Sequence, residues 1–484
     1  MKIALACAPY CYSYTLPINI AYLKAIAQDY GHQAKCFDLS IEFYHYFNLF
    51  NEATDLKKQN DKYAQQSFYL DINNWNNKDN FYNTIAPNPK FQQWIHETAD
   101  RLMANQIEVV GLSIFNTNLW TSLEIAKIIR KKAPKICIIL GGPDCSSSVH
   151  FEYLKEIYQK LLTENVFDFM VIGEGEESFI ELLSALETNK DLTSIKGLLF
   201  LKDGSPYYTG PRGMIKDLDS LPFPNYDDLD FNLYPNSLIL PLVFNRGCNF
   251  ECAFCDVRLV WGDKKDFRHR SAKNIAEEIK YLCKLIEGKN IGYAILGGSY
   301  INTSARILLE LCDELIAFWG DRPKIKWEGW ARINGTLTPE VCQKMAEAGC
   351  YSLVYGFESG SPKVCKDMNK LYSHPLAEVV LKNASDAGIS NTLFTIVGFP
   401  TETEEDFQQT LDFLERNAQY IKRAYCMSEF LLSSSMASNP EKWNLDFPID
   451  GYTWKTKDGV NTIEIRKERL QRFYKQIEKL KLNV

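Results

Sequence analysis

Twice along its 484 residues this chain alternates short apolar runs with longer segments of helical spacing, and that alternation confines it to an α/β architecture. In the first stretch the spacing predicts strands at Lys2–Ala8, Gln33–Asp38, Val109–Ile114, Lys135–Leu140 and Phe167–Ile172. Helices are expected at Asn19–Tyr30, which stops before Gly31, and at Thr121–Lys132 and Ser178–Glu187. Strands separated by helices pair in parallel with helices on both faces, which predicts a doubly wound sheet. Such sheets bind ligands in the crevice beyond the carboxyl ends of their strands. The turns at those ends carry Pro9, then Ser113, Phe115 and Asn116, then Gly141, Gly142 and Pro143, then Gly173, Glu174 and Gly175.

The second alternation opens with a strand at Leu238–Asn245. Strands follow at Tyr293–Leu296, Lys324–Trp330, Tyr351–Phe357 and Thr392–Val397. Helices are expected at Ala272–Glu287, Ala305–Phe318, Pro339–Ala348, Leu376–Ala387 and Glu404–Arg416. This is about six βα units, a partial or complete barrel. The chain therefore divides into a first domain at 1–200, a linker at 201–238, a barrel at 239–420 and a C-terminal region at 421–484. The first domain holds an insertion at about 50–95, rich in Asn, Asp, Lys and Tyr. The linker is where Gly, Pro and Asp cluster. The tail closes with an amphipathic helix whose stripe, Leu470, Phe473, Ile477 and Leu480, is expected to dock onto the barrel.

Net charge is −7, from 54 basic and 61 acidic residues with no basic stripe. That excludes bulk nucleic-acid binding as the main activity. No apolar run approaches the ~20 residues needed to span a bilayer. The start, MKIALACAPY, reads as a buried strand rather than a signal peptide, so a cytoplasmic location is expected.

Of the 14 cysteines, Cys137, Cys283, Cys312, Cys342 and Cys350 are scattered among apolar residues and read as small core residues. Cys248, Cys252 and Cys255 are spaced Cys-x3-Cys-x2-Cys on one loop after a strand. Three thiolates on such a loop suit three corners of a [4Fe–4S] cluster, leaving the fourth iron open. A ferredoxin-like carrier needs a fourth cysteine nearby, and the next, Cys283, falls mid-helix. A structural zinc site also wants four protein ligands. His269 is a candidate fourth, though the spacing matches no common zinc module, and three buried thiols is the plainest alternative.

The loop, with Phe254 one residue before its last cysteine, resembles the signature of radical S-adenosylmethionine (SAM) enzymes. Gly356-Phe357-Glu358-Ser359-Gly360-Ser361 resembles that family's GxESGS segment, and Gly398-Phe399-Pro400-Thr401-Glu402-Thr403 its GFPxET segment. Ala348-Gly349-Cys350 resembles the helix end between them. Together these span about 240–420. The resemblance implies that Cys248, Cys252 and Cys255 hold a [4Fe–4S] cluster whose open iron is chelated by SAM. It implies that Phe254 packs near the adenine and that Glu358 and Ser359 approach the ribose or the methionine amine. It further implies that Thr395–Gly398, including Val397 and Gly398, meets the adenine through its backbone. One electron then cleaves SAM to methionine and a 5′-deoxyadenosyl radical that abstracts a substrate hydrogen. The family's GGE-like turn is Gly297-Gly298-Ser299 here. Its acid is absent, leaving Ser299 or a backbone carbonyl to meet the amine.

A doubly wound domain before such a barrel resembles the cobalamin-binding radical SAM class. Matching pieces include Leu140-Gly141-Gly142-Pro143, Gly173-Glu174-Gly175-Glu176, Leu221-Pro222-Phe223-Pro224 and Phe267-Arg268-His269-Arg270-Ser271. The resemblance implies a Rossmann- or flavodoxin-like cobalamin-binding domain, a partial (β/α)6 TIM-like barrel and a small helical C-terminal region. It implies cobalamin contacts at Pro9, Ser113, Phe115, Asn116, Gly141, Gly142, Pro143, Gly173, Glu174 and Gly175. None of the six histidines follows the Asp-x-His-x-x-Gly pattern that ligates cobalt.

The leading expectation is a cobalamin-dependent radical SAM C-methyltransferase acting on a small molecule or peptide, with a flavodoxin or ferredoxin as electron donor. A radical rearrangement, cyclisation or oxidation, with cobalamin auxiliary or absent, is the alternative. A non-catalytic iron–sulfur carrier has no need of ribose- or adenine-binding strands. A methylthiotransferase needs three cluster cysteines in the first domain, and of Cys7, Cys11 and Cys36 the first lies in a strand. The aromatic insertion (Tyr63, Phe68, Tyr69, Trp75, Phe81, Tyr82) and tail (Trp443, Tyr452, Trp454) either line a substrate cavity or pack between elements. Tyr300, Tyr355 and Arg332 fall near barrel strand ends.

Overall fold

The computed structural model describes residues 1–9, 15–49, 73–150, 152–234, 238–262, 264–288, 291–321, 323, 325–426, 430–447 and 453–483. Tyr63, Phe68, Tyr69, Tyr452 and Cys11 lie outside them. The chain divides into two compact units, Met1–Ile239 with Lys289–Ile291, and Leu240–Gly288 with Gly292–Val484.

The first unit is built on one seven-stranded sheet. Its strands are β1 (Lys2–Cys7), β2 (Gln33–Asp38), β3 (Val109–Ser113), β4 (Cys137–Gly141), β5 (Phe169–Val171), β6 (Leu198–Lys202) and β7 (Ser205–Tyr208). They lie in the order β2-β1-β3-β4-β5-β6-β7. The first five are parallel, an order whose direction of winding reverses between β1 and β3. β3 is buried at all its residues, as its unbroken apolar run requires of a central parallel strand. One buried cluster covers one face, with Phe43, Trp75, Phe91, Leu123 and Tyr158. A second covers the other, with Ile20, Ile26, Phe179 and Leu183.

One edge differs from the expected parallel sheet. β6 and β7 pair antiparallel and extend one edge. They turn at Asp203-Gly204, both with positive φ, the backbone that a two-residue hairpin demands. The expected linker at 201–238 therefore begins as sheet. The insertion is helical where described, with a helix at Pro89–Met103 capped by Asn88. Its Trp75 and Phe81 are fully buried, with Phe43 edge-on to Trp75 at 5.2 Å. They are core residues.

The second unit holds β8 (Leu238–Val243), β9 (Asn245–Arg246), β10 (Arg268–His269), β11 (Ile291–Gly297), β12 (Trp327–Ala331), β13 (Cys350–Glu358), β14 (Ser390–Thr395) and β15 (Arg423–Tyr425). Six form a sheet in the order β15-β14-β13-β12-β11-β8, parallel from β11 to β15. Helices Ala272–Leu285, Ala305–Trp319, Pro339–Glu347, His374–Asp386 and Glu404–Asn417 make the returns. β9 and β10 form a short antiparallel ribbon.

The closing helix, Ile463–Lys479, buries Arg466, Arg469, Phe473 and Ile477. The expected stripe is thus rotated: Leu470 and Leu480 are only half-buried, and two arginines take their place. Arg469 reaches Glu402 at 3.4 Å, and Arg466 lies 3.8 Å over the Trp454 ring. Both charges are compensated by partners supplied from other elements, which helix periodicity does not reveal. Trp443 and Trp454 pack with Phe399 and Phe430 in a buried cluster.

Candidate functional site

In the second unit the three cysteines lie on the loop after β9. Cys252 is buried, and Cys248 and Cys255 are partly so. The loop is fastened at every turn. Gly247 accepts a hydrogen bond from Ser299 Oγ, and Asn249 accepts one from Tyr300 Oη at 2.6 Å. The Glu251 carbonyl accepts one from Asn369 Nδ2 at 2.8 Å. Ala253 N–H donates to Met368 at 2.9 Å. At the loop's entry, Arg270 donates to the Val243 carbonyl and pairs with buried Glu278.

Burial pushes the Cys255 thiol up, as do the neighbouring charges of Cys252 and Cys248, while Lys370 opposes the shift. No three His, Cys, Asp or Glu side chains converge on a single-ion site among the described residues. A cluster asks something different of its cysteines, each thiolate holding its own iron. Arg332 supplies a second test of fit. Its guanidinium is buried and Nη1 lies 3.6 Å from Cys252 Sγ. A buried cation is costly without negative charge nearby, and three thiolates on a cluster provide it.

The turn after β11 meets the loop through Asn245, which sequence reasoning passed over. Its Oδ1 accepts from Ser299 N–H at 2.7 Å, and its Nδ2 donates to the Tyr300 carbonyl at 2.5 Å. Gly298 has φ +126, and a Cβ there would stand 2.7 Å from the Asn245 carbonyl. Only glycine fits this crossing. The Ser299 hydroxyl donates to the Gly247 carbonyl, which leaves its oxygen lone pairs, like the turn's backbone carbonyls, able to accept.

Glu358 closes β13 at φ +69, beside a register shift between Gly356 and Glu358 in the pairing with β14. Such irregularities re-aim a side chain at a strand end. Its carboxylate pairs with Lys370 at 2.8 Å. Lys370 also lies 5.7 Å from the centre of the Phe254 ring, joining Glu358 to the cysteine loop. Ser359 is fully buried. Its hydroxyl lies 3.3 Å from that of Thr410 and accepts from Ser361 N–H at 3.1 Å.

β14 ends at Thr395, so Ile396–Gly398 is a turn rather than the expected strand. Ile396 N–H goes to the Glu358 carbonyl at 2.8 Å, and the Val397 carbonyl accepts from Phe430 N–H at 3.3 Å. Gly398 N–H goes to Glu402 Oε2 at 2.7 Å. Glu402 thus closes the turn. Burial pushes its carboxyl up to about 7, with Arg469 and the Gly398 N–H opposing. Asp406 ties the two motifs together, accepting from Ser361 Oγ at 2.6 Å and from Lys363 at 2.9 Å.

In the first unit the ends of β1, β3, β4 and β5 bring Pro9, Ser113, Gly141–Pro143 and Gly173–Gly175 to one end of the sheet. Gly142 has φ +113, and a Cβ would meet the Ile114 carbonyl at 2.6 Å. Gly173 N–H donates to Ser146 Oγ at 3.0 Å. Asn116 is exposed and Phe115 half-buried. Ser113 accepts from Asn19. Glu174 is occupied internally, accepting from Ile215 N–H at 2.6 Å. Asn118, at the end of the candidate loop Ser113–Asn118, is fully buried. It donates to the Ala8 and Ser113 carbonyls at 3.2 and 3.0 Å and accepts from Phe115 N–H at 2.8 Å.

Residues 242–414 match the model of the radical SAM superfamily. An uncharacterised methyltransferase of Pyrococcus horikoshii is 28% identical over 319 residues, which cover 64% of this chain and 64% of that protein. The anaerobic magnesium-protoporphyrin IX monomethyl ester cyclase of Rubrivivax gelatinosus is 24% identical over 329 residues, 65% of this chain and 55% of that protein. The chain thus spans less than two thirds of the length of either relative. Among solved structures, the radical SAM methyltransferase TsrM of Kitasatospora setae, with tryptophan substrate and a SAM analogue bound, matches with a TM-score of 0.67 at 14% identity. The match covers 98% of this chain and 83% of that one. A further structure of TsrM carries cobalamin and a [4Fe–4S] cluster. At such identity the likeness is one of fold. No helix among the described residues is long and apolar enough to cross a membrane.

Proposed function

We propose that this chain, which carries a radical SAM superfamily domain and the fold of a cobalamin-dependent radical SAM enzyme, methylates an unactivated carbon of a small molecule or peptide. The observation that carries the reading is the Cys248–Cys255 loop, fastened to the turn after β11, to the end of β12 and to the segment after β13. When bound, the cofactors supply one-electron reductive cleavage of SAM and a methyl group carried on cobalamin.

In this reading Cys248, Cys252 and Cys255 are the cluster ligands. Phe254, braced by Lys370, offers a face to the adenine. Glu358 is presented at its strand end with its charge already balanced by Lys370. The backbone of Gly297–Ser299 takes the place of the absent acid toward the methionine amine. The Gly142 crossing and the Gly173 turn keep side chains away from the carboxyl ends of β4 and β5, where a flat macrocycle needs backbone close by. Glu174, held on Ile215, acts there as a brace for the turn. A low-potential flavodoxin or ferredoxin delivers the electron.

The test is cofactor content. The protein is expressed in cobalamin-replete cells, purified anaerobically and analysed for iron and for released corrinoid by mass spectrometry. Near-stoichiometric corrinoid together with about four irons supports the reading. Iron without corrinoid, even after reconstitution, overturns the methyl-transfer model. It favours the second reading, a radical cyclisation or rearrangement, for which the cyclase of Rubrivivax gelatinosus is the observation.

A further inference from the structure

We infer that Arg332 is a positioning residue that raises the reduction potential of the cluster held by the three cysteines, an inference that rests on the function proposed above. Arg332 directly follows β12 and is 80 residues from Cys252, yet its Nη1 lies 3.6 Å from Cys252 Sγ. It is held there from two sides. Its guanidinium carbon lies 3.5 Å from the centre of the Phe250 ring. Its own backbone is clamped by one side chain, with Asn302 Oδ1 accepting from Arg332 N–H at 2.9 Å and Asn302 Nδ2 donating to the Arg332 carbonyl at 2.8 Å. Asn302 is fully buried and is itself fixed by Asn334 at 2.8 and 3.1 Å.

The charge balance gives the arrangement its meaning. Three other buried arginines of this unit have carboxylate or carbonyl partners: Arg270 has Glu278, Arg469 has Glu402 and Arg466 has the Trp454 carbonyl, while Arg246 lies 5.4 Å from the centre of the Trp261 ring. Arg332 is buried and forms no ion pair with Asp or Glu among the described residues. Its side-chain partners are a ligand sulfur and an aromatic face. A guanidinium is never deprotonated in a protein, so its charge is always present beside Cys252. Reduction adds one electron to the cluster and makes it more negative. A fixed cation and an N–H aimed at a ligand sulfur stabilise that reduced state over the oxidised one, because hydrogen bonds to sulfur and net charge set such potentials. Removing the cation therefore moves the potential in the negative direction.

The experiment compares the anaerobically reconstituted full chain with R332M, R332Q and R332K. The readouts are iron content, the electron paramagnetic resonance signal of the singly reduced cluster, and a redox titration followed by that signal. R332M is expected to hold wild-type iron with a more negative midpoint potential. R332Q, neutral but able to donate, is expected between R332M and wild type, and R332K nearest wild type. An unchanged potential in R332M at full iron overturns the inference and leaves the proposed function standing. Failure of the wild-type chain to assemble a four-iron cluster overturns both. If R332M takes up no iron, R332Q decides on the same criterion. Iron loss in both neutral variants with retention in R332K supports the role of the charge, and loss in all three overturns it in favour of a purely structural arginine.

Discussion

Lys370 sets its ammonium 2.8 Å from Glu358 Oε1, and the pair lies over Gly356, where a Cβ would stand 2.6 Å from each of the two atoms. The first glycine of the GxESGS segment thus makes room for an ion pair, and the pair fixes the acid that follows. Both side chains are buried. Removing one partner of a buried pair leaves an uncompensated charge, at a cost of about 3–5 kcal/mol. K370M is expected to lose stability on that scale in urea unfolding. E358Q/K370M is expected to lose clearly less than the two single losses added together, because the two residues share one interaction. Simple additivity in that double-mutant cycle contradicts the coupling.

Each of C248A, C252A and C255A is expected to lose most bound iron and the visible absorption of a reconstituted cluster, while C312A and C342A keep both. The first three share one loop, and the last two are buried helix residues with thiols pushed up by burial. Iron analysis and absorbance after anaerobic reconstitution check this.

Two carboxylates give opposite pH dependences. For Asp406 burial raises the pKa, but hydrogen bonds from Ser361, Thr403 and Lys363 outweigh it and bring the group down to about 2. Its contribution is complete above the ordinary value of 3.8 and is lost as pH falls through about 2. Glu402 is raised to about 7 by burial. Its contribution is complete below the ordinary 4.5 and is lost as pH rises through about 7. Urea unfolding across pH is expected to show a flatter profile between pH 4.5 and 7 for E402Q than for wild type. D406N is expected to remove part of the acid-side loss. An E402Q profile parallel to wild type contradicts the assignment.

Adjacent glycines of the first unit separate on steric grounds. G142A puts a Cβ 2.6 Å from the Ile114 carbonyl and 2.9 Å from its nitrogen, at φ +113. The backbone strain alone costs about 1–3 kcal/mol. At Gly141 the nearest atoms are 3.9 Å away, and G141A is expected within ~1 kcal/mol of wild type. Thermal unfolding orders the two, and corrinoid retention is expected to fall in G142A. Equal stability of the two variants refutes the close crossing.

Much of the fold was legible because period and punctuation were strong. Gln33–Asp38 was read to the residue as β2, and the helices after β11, β12 and β14 to within a residue or so at each end. The hairpin at β6 and β7 was missed, although Asp203-Gly204 was its signal, because Gly and Pro downstream read as linker. The tail helix was recognised but rotated, because a hydrophobic stripe carries no information about an arginine whose charge is balanced elsewhere. The motif residues stood in plain view, whereas their local duties did not. Ser299 and Glu174 look ligand-facing in sequence, and each engages a backbone group of another segment.

What the sequence determined by itself was therefore local: the βα alternation, the spacing of Cys248, Cys252 and Cys255, and the glycines that punctuate the turns. These follow from periodicity and from turn chemistry within a few residues. The tertiary structure alone decided the long-range pairings, with Arg332 against Cys252, Asn245 beneath Ser299 and Asn118 across β1 and β3. The reason is physical. A buried charge or amide is acceptable only where the folded chain delivers its partner, and a partner dozens of residues away leaves no periodic trace in the sequence.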